Sequence, residues 1–179
     1  MSRLSLALTA ALALAACQDA DAPEALPAPP TPEAATVIDG EVLLERFPEA
    51  IGPYPLAASS AEIDGALGFE VARATARYTV DINVLGPAVV INVLDLGSAE
   101  MAENMGYGWG LAPDTAGTEA FDGYPAQRES GNRTRTEKLR VLVGQRFLVE
   151  VTGEGAAYDR VEEATRALDL DDLAAIAAR

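Results

Sequence analysis

The sequence has 179 residues, of which 28 are acidic and 13 basic, so its formal net charge is −15. It contains no histidine and one cysteine, which excludes internal disulfides, Ser-His and Cys-His nucleophile pairs, histidine-rich metal sites and thiolate zinc sites. An excess of acid this large also disfavours binding to nucleic acid. We therefore expect no cofactor, metal or nucleic-acid partner, and any enzyme would have to use carboxylate, Tyr, Lys or Ser chemistry.

The N-terminal segment has the pattern of an export signal. Arg3 provides one positive charge, and residues 6–16 are Ala and Leu apart from Thr9. This run is too short to span a bilayer, which needs about 20 apolar residues. A charged start, a short apolar run and small residues before a cleavage point are typical of a secretory signal peptide. We assign residues 1–16 to this signal.

Cys17 follows the signal directly. The stretch Leu14-Ala15-Ala16-Cys17 resembles the lipobox of bacterial lipoproteins, in which the peptide is cleaved before the cysteine and the thiol is diacylated. The resemblance implies fatty acyl chains such as palmitate on Cys17, and two or more chains anchor a protein stably in a bilayer. Gln18, rather than aspartate, comes next, which in that family implies sorting to the outer membrane.

A spacer and one domain follow the lipobox. Residues 17–36 combine the lipidated cysteine with a Pro- and Ala-rich stretch that cannot bury enough apolar surface to fold, so we expect a disordered tether. The remaining residues, 37–179, fit a single domain. The expected location is the cell envelope, with the domain facing the periplasm.

The domain is expected to open with a short helix capped by Thr36 or Asp39 and stopped by Pro48. Ile38, Val42, Leu43 and Phe47 would form its apolar stripe. An irregular crossing is expected at residues 52–55. Residues 70–80 then alternate between apolar and polar, which predicts a half-exposed strand with Ala72, Ala74, Ala76, Tyr78 and Val80 on one face. Those small alanines favour a helix packed close to that face.

Residues 88–96 are mostly apolar and predict a central strand covered on both sides. Ser98 is positioned to cap a short helix with Met101 and Met105 on its apolar edge, and Gly106 to close it. Tyr107-Gly108-Trp109-Gly110 follows as an aromatic loop. It is interpreted either as a stacking surface for sugar, peptide or protein, or as a lid folded back onto the core. Residues 112–123 are expected to be a loop.

A third strand is predicted at 124–129, and residues 134–152 predict a hairpin. A three-residue turn through Gly144, Gln145 and Arg146 would pair Val143 with Phe147 and bring the apolar residues of both strands to one face, whereas a two-residue turn would not. Burial therefore favours the three-residue turn, which would leave Arg146 exposed. Residues 128–146 hold six basic and two acidic side chains. They either balance acidic neighbours or form a basic strip for an anionic ligand or acidic partner.

Two helical segments are predicted at the C-terminus, residues 156–168 and a final short helix. Asp169, Asp171 and Asp172 lie between them. They lack the glycine and closing glutamate of an EF-hand loop, so we interpret them as N-cap residues.

These elements predict an α+β fold: an antiparallel sheet of about five strands with helices packed against it. Their order, helix, strand, strand, helix, three strands, helix, resembles the PsbP-like fold found in accessory proteins and some bacterial lipoproteins. That resemblance implies a fold and no activity.

The lipobox resemblance implies a membrane-anchored envelope lipoprotein, and the absence of catalytic motifs in the sequence favours a non-catalytic binding or accessory module. Its partners would be the lipid bilayer, through acylated Cys17, and an envelope protein or cell-wall component. The candidate binding surface consists of Tyr107, Trp109, Arg140 and Arg146. One alternative is a carboxylate-based cell-wall glycan hydrolase, for which Asp95 and Glu150 are candidate acids. Another is a purely structural surface lipoprotein.

Overall fold

Alternation of apolar and polar residues gives this chain a sheet with two unlike faces. The computed structural model describes residues 36–66, 69–81, 86–111, 117–131, 133 and 135–179, without the side chains of 66, 69 and 106–109. The signal, Cys17 and the tether as far as residue 35 lie outside the described residues. The strands are β1 Ala50–Ile51, β2 Tyr54–Ala66, β3 Phe69–Thr79, β4 Ala88–Asp95, β5 Thr118–Phe121, β6 Tyr124–Gly131, β7 Thr136–Val143 and β8 Phe147–Glu154.

The helices are α1 Gly40–Leu44, α2 Ala99–Trp109, a 3₁₀ helix at Gly155–Arg160, α3 Val161–Arg166 and α4 Leu170–Ala177. The strands form one sheet in the order β1-β2-β3-β4-β8-β7-β6-β5, and every neighbouring pair is antiparallel. The α+β class is thus confirmed, but the expected count of about five strands is wrong because the sheet has eight.

The three strands that the sequence did not predict, β1, β2 and β5, are short or exposed. β1 and β5 have two and four residues, too few for a periodic pattern. β2 is almost entirely exposed, so its composition carries no alternation of apolar and polar residues. The expected irregular crossing at 52–55 is a tight hairpin turn in which Ile51 pairs with Tyr54. The predicted element order that suggested a PsbP-like fold is correspondingly incomplete.

One face of the sheet, called the inner face here, carries the main core. Ala72, Ala74, Ala76 and Tyr78 of β3 are fully buried on it, as the alternation predicted, although Val80 beyond the strand is exposed. The predicted close helix is α1, since a Cβ added at Gly40 would lie 2.8 Å from Ala61 Cβ on the neighbouring strand. Leu43 and Phe47 of that region are buried, whereas Val42 is exposed, contrary to prediction.

The β7–β8 hairpin has the register that burial favoured. Val143 lies opposite Phe147, and Arg140 lies opposite Glu150. Leu139, Val141 and Val143 therefore share the inner face with Phe147, Val149 and Val151, and all six are buried. Helix α3 packs against both strands of this hairpin.

Three predicted N-caps are confirmed by their hydrogen bonds. Glu41 N donates to Asp39 Oδ1 at 3.1 Å, Met101 N to Ser98 Oγ at 3.1 Å, and Asp172 N to Asp169 Oδ1 at 3.1 Å. In each case the side-chain oxygen satisfies an amide that the first helical turn leaves without a partner.

Helix α2 is longer than the sequence indicated. It does not close at Gly106 but continues to Trp109, and Gly110, with φ of +75°, ends it. A left-handed residue just after a helix is the position that glycine favours. The stretch Tyr107-Gly108-Trp109 is therefore the last turn of a helix and not a loop.

Candidate binding face of the sheet

The second face of the sheet, called the outer face here, carries a row of polar residues. Facing positions on six adjacent strands form what we call the polar row: Ser60, Thr75, Asn92, Glu150, Arg140 and Gln127. These residues stand opposite one another because each strand pair is in the register that buries its inner-face residues. The row crosses the sheet from β2 to β6.

Side chains of the polar row bond to one another. Thr75 Oγ1 donates to Asn92 Oδ1 at 2.8 Å, Arg140 Nε donates to Glu150 Oε2 at 3.0 Å, and Arg140 Nη1 donates to Gln127 Oε1 at 3.1 Å. Cross-strand pairs of this kind fix side-chain positions on a sheet. The centre of the outer face is therefore an ordered polar surface.

The ion pairs of the outer face balance in charge. Four basic residues pair with four acidic ones: Arg73 with Glu62, Arg77 with Glu154, Lys138 with Glu150, and Arg140 with both Glu129 and Glu150. Burial, the largest single effect on Glu150, raises the pKa of its carboxyl, but hydrogen bonds from Arg140 and Lys138 outweigh it and hold the pKa below its usual value. This paired surface is neutral on a chain whose net charge is −15.

An apolar row lies beside the polar row and is covered by α2. Leu94, Leu148 and Leu142 occupy facing positions on β4, β8 and β7. Met101 and Met105 of α2 pack on this cluster, confirming the predicted apolar edge of the helix. The expectation that β4 is covered on both faces is thus correct at Leu94 but not at Asn92, which stays partly exposed.

A cleft opens where the two rows meet. Arg73, Asn92, Leu94, Leu148 and Glu150 line a space of about 280 Å³. Its lining combines an amide, a guanidinium and a carboxylate with two leucine side chains. Its polar side chains can exchange hydrogen bonds with a ligand, whereas the leucines form a mostly buried floor, since Leu94 is 9% and Leu148 2% exposed.

Arg140 and the aromatic stretch, two of the predicted binding elements, are brought to the same region. Arg140 belongs to the polar row and bonds Gln127. Gly110, which follows Trp109, lies against the same Gln127, since an added Cβ would come within 2.6 Å of Gln127 Nε2. The side chains of Tyr107 and Trp109 lie outside the described residues, so their contribution stays a prediction.

Arg146 has a different role. Its Nε and Nη2 each donate to Asp95 at 2.8 Å, and Asp95 also accepts from Ile38 N at 2.7 Å and Gly97 N at 2.9 Å. The Asp95 side chain is fully buried and that of Arg146 is 16% exposed, so the prediction of an exposed Arg146 is wrong. A long-range partner, 51 positions away in the sequence, draws Arg146 inward. We call this arrangement the Asp95–Arg146 clamp.

The basic stretch at 128–146 mostly balances acidic neighbours, which is the first of the two interpretations given above. Arg128 pairs with Glu119, Glu137 and Glu162 on the inner side of the sheet. Arg135 lies over the ring of Tyr158 at 5.5 Å. The sequence could not reveal these partners, because they come from β5, β7, α3 and the 3₁₀ helix.

The two candidate acids for glycan hydrolysis are both engaged in ion pairs. Asp95 is enclosed in the clamp, and Glu150 bonds to two cations. A general acid needs a raised pKa, whereas that of Glu150 is lowered. Glu150 therefore does not have the environment of a general acid, and the side chain of Asp95 is fully buried.

Within the described part of the chain, no three or more Asp, Glu or Cys side chains gather in a way that could hold a metal ion. Among these same residues, no helix has the length and apolar character needed to cross a membrane. Comparison of the chain with protein-family models, curated proteins and solved structures found no match. Function is therefore inferred from the outer face.

Proposed function

We propose that this chain is a lipid-anchored protein of the bacterial envelope whose domain is a non-catalytic binding module. The lipid anchor is acylated Cys17 in the outer membrane, and the domain faces the periplasm. The binding site is the cleft lined by Asn92, Leu94, Leu148, Arg73 and Glu150. Its ligand is a neutral, amide- and hydroxyl-rich molecule of the kind found in cell-wall glycan.

The pairing of the charged residues that line the cleft carries this proposal. The two ionised residues that line the cleft, Arg73 and Glu150, already have partners of opposite charge, so a charged ligand would compete with those partners for each group. A neutral polar ligand meets no such cost, because it can bond to paired groups without unpairing them. The partly exposed amide of Asn92 then supplies hydrogen bonding, beside the small part of Leu94 that α2 leaves accessible.

The test is an NMR titration of the full chain in detergent with the N-acetylglucosamine tetramer as the probe. Amide signals of Asn92, Leu94, Leu148 and Glu150 should shift on binding, and Asn92→Ala should weaken the affinity about tenfold through loss of its hydrogen bonds. Ser60→Ala, on the same polar row but outside the cleft lining, is the matched control and should bind as the unmodified chain does.

The hydrolase and structural alternatives give different results in the same titration. Cleavage of the tetramer, detected by mass spectrometry and lost in Glu150→Gln, would support a hydrolase. Shifts confined to residues outside the cleft, or no shifts at all, would contradict the proposed site.

The anchor is tested separately by mass spectrometry of the protein isolated from envelopes. The expected N-terminal residue is Cys17, carrying two or more acyl chains. Cys17→Ser should be unacylated and should leave the membrane fraction. An intact leader on a cytosolic protein would refute the assignment.

A further inference from the structure

The strand β2 leaves a long edge of the sheet open. On one side β2 pairs with β3 from Leu56 to Ala66, while on its other side β1 pairs only with Tyr54 and Pro55. Beyond that hairpin, no described strand covers the second side of β2. The backbone amides and carbonyls that point outward along 58–65 are therefore available to another strand.

This edge lacks most of the features that block edge pairing in other proteins. From Leu56 to Ala66 the chain contains no proline, lysine or arginine, and one irregularity in pairing, between Leu56 and Ala58, lies at its beginning. Edge strands are usually short or protected by lysine, proline or bulges. The strand at the opposite edge of the sheet, β5, has only four residues.

The two faces of the open edge differ in chemistry. Ile63 stands opposite buried Ala72, so it lies on the inner face, where its side chain is 55% exposed. Glu62 and Asp64 stand opposite Arg73 and Val71 and lie on the outer face. The edge thus offers an apolar contact on one side and two carboxylates on the other, and among the described residues Glu62 pairs with Arg73.

We propose that β2 binds an extended segment of a partner protein as an added antiparallel strand, and that the segment alternates apolar with basic residues. Main-chain hydrogen bonds provide the affinity in such strand addition, and alternate side chains provide the selectivity. Apolar residues of the segment cover Ile63 on the inner face. Its basic residues, on the opposite side, lie next to Glu62 and Asp64.

A second copy of the chain fits this edge less well. Antiparallel pairing of two β2 strands would place Glu62 and Asp64 of both copies along one seam. It would also join two domains of a chain whose net charge is −15. Like charges that face each other across a strand pair destabilise it.

The test uses the full chain in detergent and fluorescent peptides of about ten residues, the length of a typical strand or slightly longer. A peptide of alternating valine and lysine should bind and slow amide hydrogen exchange along 58–65. A peptide of alternating valine and glutamate should bind at least about tenfold more weakly, because its carboxylates would lie next to Glu62 and Asp64. A valine-lysine peptide in which alternate backbone amides are methylated should also bind about tenfold more weakly, because methylation removes main-chain hydrogen bonds.

Charge reversal of the edge provides the matching test on the protein. Glu62→Lys with Asp64→Lys should reverse the preference between the lysine and glutamate peptides. Glu103→Lys with Asp159→Lys changes the net charge equally at exposed positions outside the edge and should leave the preference unchanged.

Three results would overturn the proposal: no binding of the valine-lysine peptide, equal affinity for both charge types, or no effect of amide methylation. A dimer detected by light scattering and dissociated by Ile63→Lys would instead assign the edge to a second copy.

Discussion

Replacing Arg146 with alanine is expected to destabilise the domain strongly. The substitution removes two hydrogen bonds of 2.8 Å to Asp95, whose side chain is fully buried. The carboxylate would keep the amides of Ile38 and Gly97 but would have no counter-charge. Removing one partner of a buried ion pair costs about 3–5 kcal/mol, because the remaining charge is left without compensation.

The amides of Ile38 and Gly97 still donate to Asp95 and partly compensate its charge. We therefore expect the free energy of unfolding to fall by about 3 kcal/mol, the lower end of that range. Domains of this size have total stabilities of about 5–15 kcal/mol, so the loss is a large fraction of the whole. It corresponds to a fall in Tm of about 10 °C, at roughly 3 °C per kcal/mol.

Arg140→Ala is the matched control. The side chains of Arg140 and Arg146 are both 16% exposed, but the partners of Arg140 are more accessible than Asp95, and Glu150 keeps Lys138 as a second cation. This loss should therefore stay near 1 kcal/mol or less. Urea unfolding followed by far-ultraviolet circular dichroism measures both variants. If Arg146→Ala costs no more than Arg140→Ala, the account of the clamp is wrong.

Three further predictions concern protonation and packing. Because the pKa of Glu150 is lowered in the folded protein, its stabilising effect is present at neutral pH and is lost as the pH falls through that pKa. The urea midpoint difference between the unmodified chain and Glu150→Gln should therefore be larger at pH ~7 than at pH ~3. Burial raises the pKa of Tyr78 from its ordinary value of 10.0 to about 12, so the folded protein favours the neutral phenol. The free energy of unfolding should therefore fall as the pH rises from the ordinary pKa through the raised one. An ultraviolet titration should show a component near pH 12 that is absent in Tyr78→Phe. Gly153→Ala should destabilise the domain by about 1–3 kcal/mol, because its Cβ would lie 2.5 Å from the carbonyl oxygen of Ala157. Gly65→Ala, whose added Cβ would have no atom of the described residues within 4 Å, should be neutral or stabilising in the same urea assay, and equal losses in the two variants would contradict the packing argument.

Local patterns in the sequence predicted the elements that are buried on one face. Strand β3 and the β7–β8 hairpin alternate because their inner-face residues lie in the core, and this periodicity also selected the correct turn. The N-caps at Asp39, Ser98 and Asp169 were predictable because each depends on a side chain within three residues of its amide.

Features that depend on distant partners were not predictable in this way. Strand β2 is exposed along most of its length, so burial imposes no pattern on it. Arg146 was expected at the surface because its turn position is visible in the sequence, whereas Asp95 is 51 residues away. The polar row, likewise, exists only once six strands are in register.

The clamp also determines where the domain would bear mechanical load. Arg146 Nη2 donates to the carbonyl of Thr36 at 3.1 Å, and Ile38 N bonds to Asp95 at the end of β4. If the chain is tethered to a membrane at Cys17, a pulling force enters at Thr36 and passes directly into a central strand and the β7–β8 turn. Tension from such a tether would thus act on the middle of the sheet before it acts on α1 or on the open edge of β2.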